Sequence, residues 1–291
     1  MRPAMLAVMF LPLVAVGLVA VQGQSGALPP VETLHYGDGP LQDIGFWPAD
    51  ARYGSPPPLV IFVHGGGWKR GSRDNATGAA KVAHYAALGY AFASINYRLV
   101  PDATVEEQAQ DVANAVALLR GNAATLHFDP DRIVLMGHSA GAHLVALVGT
   151  DMRYFAKAGL RPDAVRGVIA LDGAAYDVAR QMAQAGRFMA GTYEQAFGTD
   201  ADRQRLLSPT MQTERPNVPA FLILHVDRTD GAEQSEALAA ALRAAGTPAE
   251  VKGFSGTGLR GHMEINRRLG DPDYPATPVV DAWLKQAFAA Q

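Results

Sequence analysis

The chain has no cysteine, so disulfide bonds, thiolate-bound zinc and a cysteine nucleophile are all excluded at once. That absence leaves the redox compartment open. Neither sign of charge is in excess: 25 basic side chains stand against 28 acidic ones, a formal net charge of −3. Nucleic-acid binding calls for a strongly basic face, and this balance gives no electrostatic case for one. Charged residues make up only 18% of the chain and hydrophobic ones 48%, the ordinary globular proportion. A chain of 291 residues buries most of what it exposes when unfolded, so neither metal nor cross-link is needed to hold a core. There is no internal repeat, and only one long apolar run.

That run sets the first two dozen residues apart. Arg2 follows the initiator, Met5 to Val21 is apolar but for Pro12 and Gly17, and Gln22-Gly23-Gln24-Ser25-Gly26 is small and polar. A basic start, an apolar middle and a small-residue exit describe a secretory signal peptide, here residues 1–24. Its length, about 17 residues, lies at the lower limit for a bilayer span, which leaves an uncleaved N-terminal anchor as the alternative. A buried core helix fits less well, because the segment has no polar face. The expectation is a secreted or periplasmic protein, with membrane contact only if the leader stays uncleaved.

Residues 25–291 read as one domain. Residues 27–58, rich in Pro, Gly and Asp, suggest turns and edge strands closed by Pro56-Pro57-Pro58. Short apolar runs then alternate with helical stretches. Strands are expected at Leu59–Val63, Tyr90–Ile95, Ile133–Met136, Val165–Leu171, Phe221–Val226 and Ala249–Phe254. Helices are expected at Thr77–Leu88, Val105–Arg120, Ala140–Val148, Ala232–Ala245 and Pro278–Ala290. This alternation implies an α/β fold, a mostly parallel central sheet with helices on both faces. The stretch 172–219 has no clear strand and reads as a short helical, cap-like excursion above the sheet, where substrate shape is often set.

Two glycine motifs carry chemistry. Gly137-His138-Ser139-Ala140-Gly141 follows a strand and precedes a helix. In that context a G-x-S-x-G pentapeptide turns sharply and exposes the serine Oγ at its tip. His64-Gly65-Gly66-Gly67-Trp68 follows the first strong strand. Acyl transfer needs N–H donors aimed at the oxygen that becomes negative, and glycines let the backbone approach it closely. The expected donors are Gly66, Gly67 and Ala140. A phosphate cradle is the rival use of such glycines, but neither a Gly-Lys-Ser/Thr terminus nor G-x-G-x-x-G spacing is present.

Together with Asn96-Tyr97-Arg98-Leu99, these motifs resemble the α/β-hydrolase superfamily, in its branch of carboxylesterases, arylformamidases and hormone-sensitive-lipase-like enzymes. The resemblance covers roughly residues 55–291 and departs from the lipase-like pattern at His138, where Asp is usual. It implies an α/β-hydrolase fold and a triad in the order Ser, acid, His. Ser139 is then the nucleophile. Of the histidines after it, His143 lies one turn away on the wrong element. His225 lies within a strand and reads as a core residue with a backbone partner. His262, in a glycine-rich loop after the last strand, is left as the base. For the acid, Asp227 comes first after the fifth expected strand and fits the family pattern; Asp230 is the alternative, or a helix cap. Trp68 packs beside the oxyanion loop or, like His138, lines the pocket. Arg98 reads as structural, and His84, Glu106, Glu107 and Asp111 as helix-surface groups. No His/Asp cluster has metal spacing, and no cofactor is called for. The implied activity is hydrolysis of small-molecule carboxylic esters through an acyl-enzyme, with formamide or amide substrates as the alternative on the same triad. A non-catalytic binding module would need none of these motifs.

Overall fold

A computed structural model describes residues 32–49, 56–214 and 216–290. The leader, residues 1–24, lies outside the described residues, as does part of the 27–58 segment. Eight strands form one sheet: β1 (Glu32–His35), β2 (Asp43–Trp47), β3 (Leu59–Val63), β4 (Ala91–Ile95), β5 (Ile133–His138), β6 (Gly167–Leu171), β7 (Phe221–Asp227) and β8 (Ala249–Thr257). Their order is β1-β2-β4-β3-β5-β6-β7-β8. The first two run antiparallel, with β1 at the edge and β2 between β1 and β4; β3 to β8 run parallel.

The inner strands are continuous apolar runs because a parallel sheet is covered on both faces. Side chains alternate between two cores with the strand period of two. Leu59, Ile61 and Val63 point to one face, against α2 (Val105–Gly121), α4 (Ala140–Thr150), α5 (Met152–Lys157) and α9 (Thr229–Ala244). Val60 and Phe62 point to the other, against α1 (Ala79–Ala87), α10 (Gly258–Arg268) and α11 (Ala276–Ala289). α3 (Ala123–Leu126) is a single turn. α4 follows central β5 and is buried at every position, which is why it is apolar all round. Between β6 and β7 the chain forms α6 (Val178–Gln184), α7 (Arg187–Phe197) and α8 (Ala201–Leu206), the expected helical excursion.

Two readings of polar residues need correction. Asp111 is fully buried, not a surface charge: it accepts from Arg98 Nη2 and from Gln42 Nε2, both at 2.9 Å. His84 is paired across to α11, with Nε2 2.8 Å from Asp281 Oδ1. Glu106 pairs with Arg203 of α8, tying α2 to the excursion. Glu107, by contrast, completes a capping box with Thr104 at the start of α2.

Candidate active site

Ser139 sits between β5 and α4 with φ 56 and ψ −119, a conformation side chains rarely adopt. The flanking glycines make it possible. A Cβ on Gly137 would lie 2.3 Å from Gly141 O, and one on Gly141 would lie 2.1 Å from Val63 O. The turn lifts Oγ out of the sheet and leaves Ser139 half-buried.

His262 Nε2 lies 3.0 Å from Ser139 Oγ, so the sequence-predicted pair is brought together. The element is different from the one expected. The glycines of 256–261 suggested a loop, but His262 stands inside α10. Gly261 is small for packing: a Cβ there would lie 2.4 Å from the Gly256 carbonyl carbon.

Asp227 is not the carboxylate beside His262. It ends β7 at an irregularity in the register with β8, is exposed, and accepts from the Gly256 N–H at 3.2 Å. Asp230 is directed instead to Gln181 Nε2 of α6, at 3.2 Å, and to Arg228. The partner is Asp172, the first residue after β6, whose Oδ2 accepts from His262 Nδ1 at 2.5 Å. Its Oδ1 accepts from the Val226 N–H at 3.1 Å. Asp172 is wholly inaccessible and has φ 43. Burial alone would raise its pKa; the hydrogen bond from His262 and the Arg228 charge outweigh that and hold it below the ordinary carboxylate value. Sequence reasoning missed both Asp172 and Arg228, although Asp172 satisfies the Ser-acid-His order and directly follows a strand.

Arg228 Nη1 lies 3.3 Å from Asp172 Oδ2 and 3.1 Å from His262 Nδ1. When Nδ1 carries the proton it gives to Asp172, it cannot also accept from a guanidinium. The Arg228 interaction is therefore with the carboxylate.

The His64–Trp68 loop lies against the serine turn: a Cβ on Gly65 would be 2.9 Å from Ser139 Cβ. Gly66 and Gly67 have φ of 132 and 61, so the loop winds through conformations that favour glycine. Among the described residues, the N–H groups of Gly66, Gly67 and Ala140 have no hydrogen-bond acceptor. That of Ala140 also begins α4, where the helix dipole favours negative charge.

His138 lies beneath the base and does not open to solvent. Its ring centroid is 4.6 Å from that of His262, and its Nε2 lies 2.8 Å from the His262 carbonyl oxygen, to which it donates. Burial first, and the neighbouring His262 second, push its pKa well below the usual value, so the ring is neutral. Trp68 is buried, packing on Phe197 and Tyr193 of α7; its Nε1 donates to His143 Nδ1 at 3.3 Å. His143 Nε2 then carries the single ring proton and donates it to Leu207 O at 2.8 Å. Burial pushes His143 down to about 4, in keeping with that neutral tautomer. His225 has a backbone contact, Nδ1 to Val226 O at 3.0 Å. The excursion reaches the loop through α7, where Thr192 Cγ2 would meet a Cβ on Gly67 at 3.0 Å.

A mostly parallel sheet in this order, with a serine at the strained β5–α4 turn and a histidine beyond β8, defines an α/β-hydrolase. The BD-FAE family model matches residues 47–242, and the chain belongs to that family. It is 33% identical over 201 residues to Esterase LipC of Mycobacterium tuberculosis, a match spanning 66% of this chain and 49% of LipC. The chain thus spans about half the length of that relative, and 27% of a rice relative named "Probable isoprenylcysteine alpha-carbonyl methylesterase ICME". Among solved structures, a truncated carbohydrate esterase from gut microbiota superposes with a TM-score of 0.73 at 20% identity, over 91% of this chain and all of that one. Esterase B of Lactobacillus rhamnosis gives 0.71 at 21%, over 90% and 87%. At such identities these two show the shared fold.

Proposed function

We propose that this chain is a serine esterase that cleaves carboxylic esters through an acyl-enzyme. The observation that carries the reading is the relay from Ser139 Oγ through His262 to Asp172, at 3.0 and 2.5 Å, beside three N–H groups without acceptors. His262 Nε2 takes the proton as Oγ attacks the ester carbonyl, and Asp172 holds the ring in the tautomer with Nδ1–H and stabilises the imidazolium. Gly66, Gly67 and Ala140 receive the oxyanion, each donor lowering the barrier by about 3 kcal/mol. His262 then returns its proton to the departing alkoxide. A water deprotonated by the same imidazole releases the acid. The names of its relatives, esterases and carboxylesterases, favour an ester over an amide. The leader favours an activity outside the cytoplasm, and N-terminal sequencing of exported protein that still begins at Met1 would contradict cleavage.

The test is hydrolysis of p-nitrophenyl acetate, butyrate and octanoate beside labelling by a fluorophosphonate. The expected result is Ser139-dependent turnover, falling about a million-fold in Ser139→Ala with the fold retained. Labelling of Ser139 without ester turnover would move the assignment to formamides or amides. The absence of both turnover and labelling would overturn it.

A further inference from the structure

Lys81 is a fully buried lysine with no acidic partner among the described residues. It stands on α1, far along the chain from the triad, and its Nζ donates to three oxygens. These are Thr77 O at 2.9 Å, Asn266 Oδ1 at 2.8 Å, and the Asn266 carbonyl. The ammonium also lies 4.8 Å from the centre of the Phe62 ring. Asn266 Nδ2 completes the clamp by donating to Ala76 O at 2.9 Å.

Asn266 is one helical turn beyond His262 on α10, so the two share a helix face. Its carbonyl belongs to the last turn, where no intrahelical N–H is guaranteed. The N–H four residues on, from Gly270, goes to Thr277 Oγ1 at 3.0 Å instead. Lys81 therefore caps the C-terminal end of the helix that bears the base, with the charge sign the dipole prefers. The other end of α10 starts at Gly258 with φ 55, two residues after Gly256 with φ 141. Leu259 and Met263 on it are exposed, and its apolar anchor, Ile265, lies in its second half, beside Asn266.

We propose that Lys81 is a positioning residue for His262, fixing the rotation and reach of α10 through Asn266. A buried amine without a carboxylate is a costly way to obtain stability, since an apolar side chain of similar volume serves packing as well. Burial pushes the amine down to about 7, which expresses the same cost. What the lysine supplies, and methionine cannot, is a pair of directed hydrogen bonds to Asn266 at the end of α10.

The inference rests on Ser139 and His262 forming the nucleophile pair, and its test separates the two claims. The rate of Ser139 phosphonylation by a fluorophosphonate, kcat, KM and the melting temperature are measured for wild type, Lys81→Met and Asn266→Ala. In Lys81→Met, phosphonylation and kcat fall about 10- to 100-fold per folded molecule, KM moves little, and the melting temperature stays near wild type. Asn266→Ala, which leaves Lys81 its two backbone carbonyls, falls in the same direction by less. A variant that melts lower but is phosphonylated at the wild-type rate overturns the positioning role and leaves the lysine structural. If Lys81→Met does not fold, Asn266→Ala decides by the same rate comparison. Wild type that is not labelled at all overturns the esterase reading, and this inference with it.

Discussion

Two carboxylates stand at the exits of neighbouring parallel strands, Asp172 after β6 and Asp227 at the end of β7, and only one faces the base. Asp172 is completely buried, and both its oxygens accept from the site: Oδ1 from Val226 N–H and Oδ2 from His262. Asp227 is exposed and holds the backbone of Gly256. The difference arises in a few residues of backbone. β7 loses register with β8 between Val226 and Asp227, which places the Asp227 side chain beside β8. Asp172 turns through φ 43, so that its side chain lies alongside β7 and reaches the imidazole. Arg228, next in the chain after Asp227, then contributes a cation to the acid of the adjacent strand. Position at a strand exit supplies a carboxylate to the neighbourhood, and local backbone geometry selects which one meets the imidazole.

The largest effect expected from breaking this comparison belongs to Asp172→Asn. Both Asp172 oxygens face donors, and an amide has only one oxygen. Whichever way the substituted amide is flipped, its NH2 group meets either the Val226 N–H or the His262 ring. In the flip that keeps the Val226 N–H bond the NH2 faces Nδ1, and the imidazole is driven toward the tautomer with the proton on Nε2, where it can no longer accept from Ser139. A fall in kcat of about 10,000-fold is expected, with the fold intact by circular dichroism. A fall of less than about tenfold would return the acid's role to the β7 exit.

What the sequence discloses and what it hides divide along the same physical line. β3 and β5 to β7 are legible because parallel strands covered on both faces must be apolar throughout. The serine turn is legible because steric contact as close as 2.1 Å leaves only glycine at Gly141. His262 follows from chain order, but its helix does not: Gly256, Gly258 and Gly261 read as a loop, and only the packing of Gly261 on Gly256 reveals why a helix begins there. The acid is hidden because Asp172, Asp227 and Asp230 all satisfy the order. Choosing among them depends on a bulge and a positive φ, and neither has a pattern in the residue types. Asp111 and His84 read as surface groups for a related reason, since their partners, Arg98 with Gln42 and Asp281, come together only in the folded chain.

Acid titration sharpens the contrast with a smaller effect. Asp172 is held below the ordinary carboxylate value, so the unfolded chain takes up its proton first as pH falls. Its stabilisation is complete above about 4 and is lost as pH falls through the folded value. The buried His64 and His143 add a separate loss. Both are held at about 4 by burial, so the unfolded chain binds protons at higher pH, and stability falls between about 6.5 and 4. Neither shift depends on Asp172, so this loss is common to wild type and Asp172→Asn. Urea midpoints from about pH 7 to about pH 3 should therefore run parallel in wild type and Asp172→Asn down to about pH 4, and converge below it. Curves parallel throughout would mean that the Asp172 carboxylate gains nothing from His262 and Arg228.

The smallest effect belongs to Asp227→Asn. The asparagine oxygen still accepts from Gly256 N–H, and at an exposed position the lost charge is screened by water. Stability should change by less than about 1 kcal/mol and kcat by less than about threefold. Asp227→Ala is the more searching variant, because it frees the Gly256 N–H and slackens the joint at which α10 begins. A modest fall in kcat with Ala and none with Asn would show that Asp227 supports the base through the backbone, while Asp172 supports it through the ring. Loss of activity in Asp227→Asn comparable to that in Asp172→Asn would erase the distinction between the two strand exits, since an unchanged hydrogen bond cannot explain it.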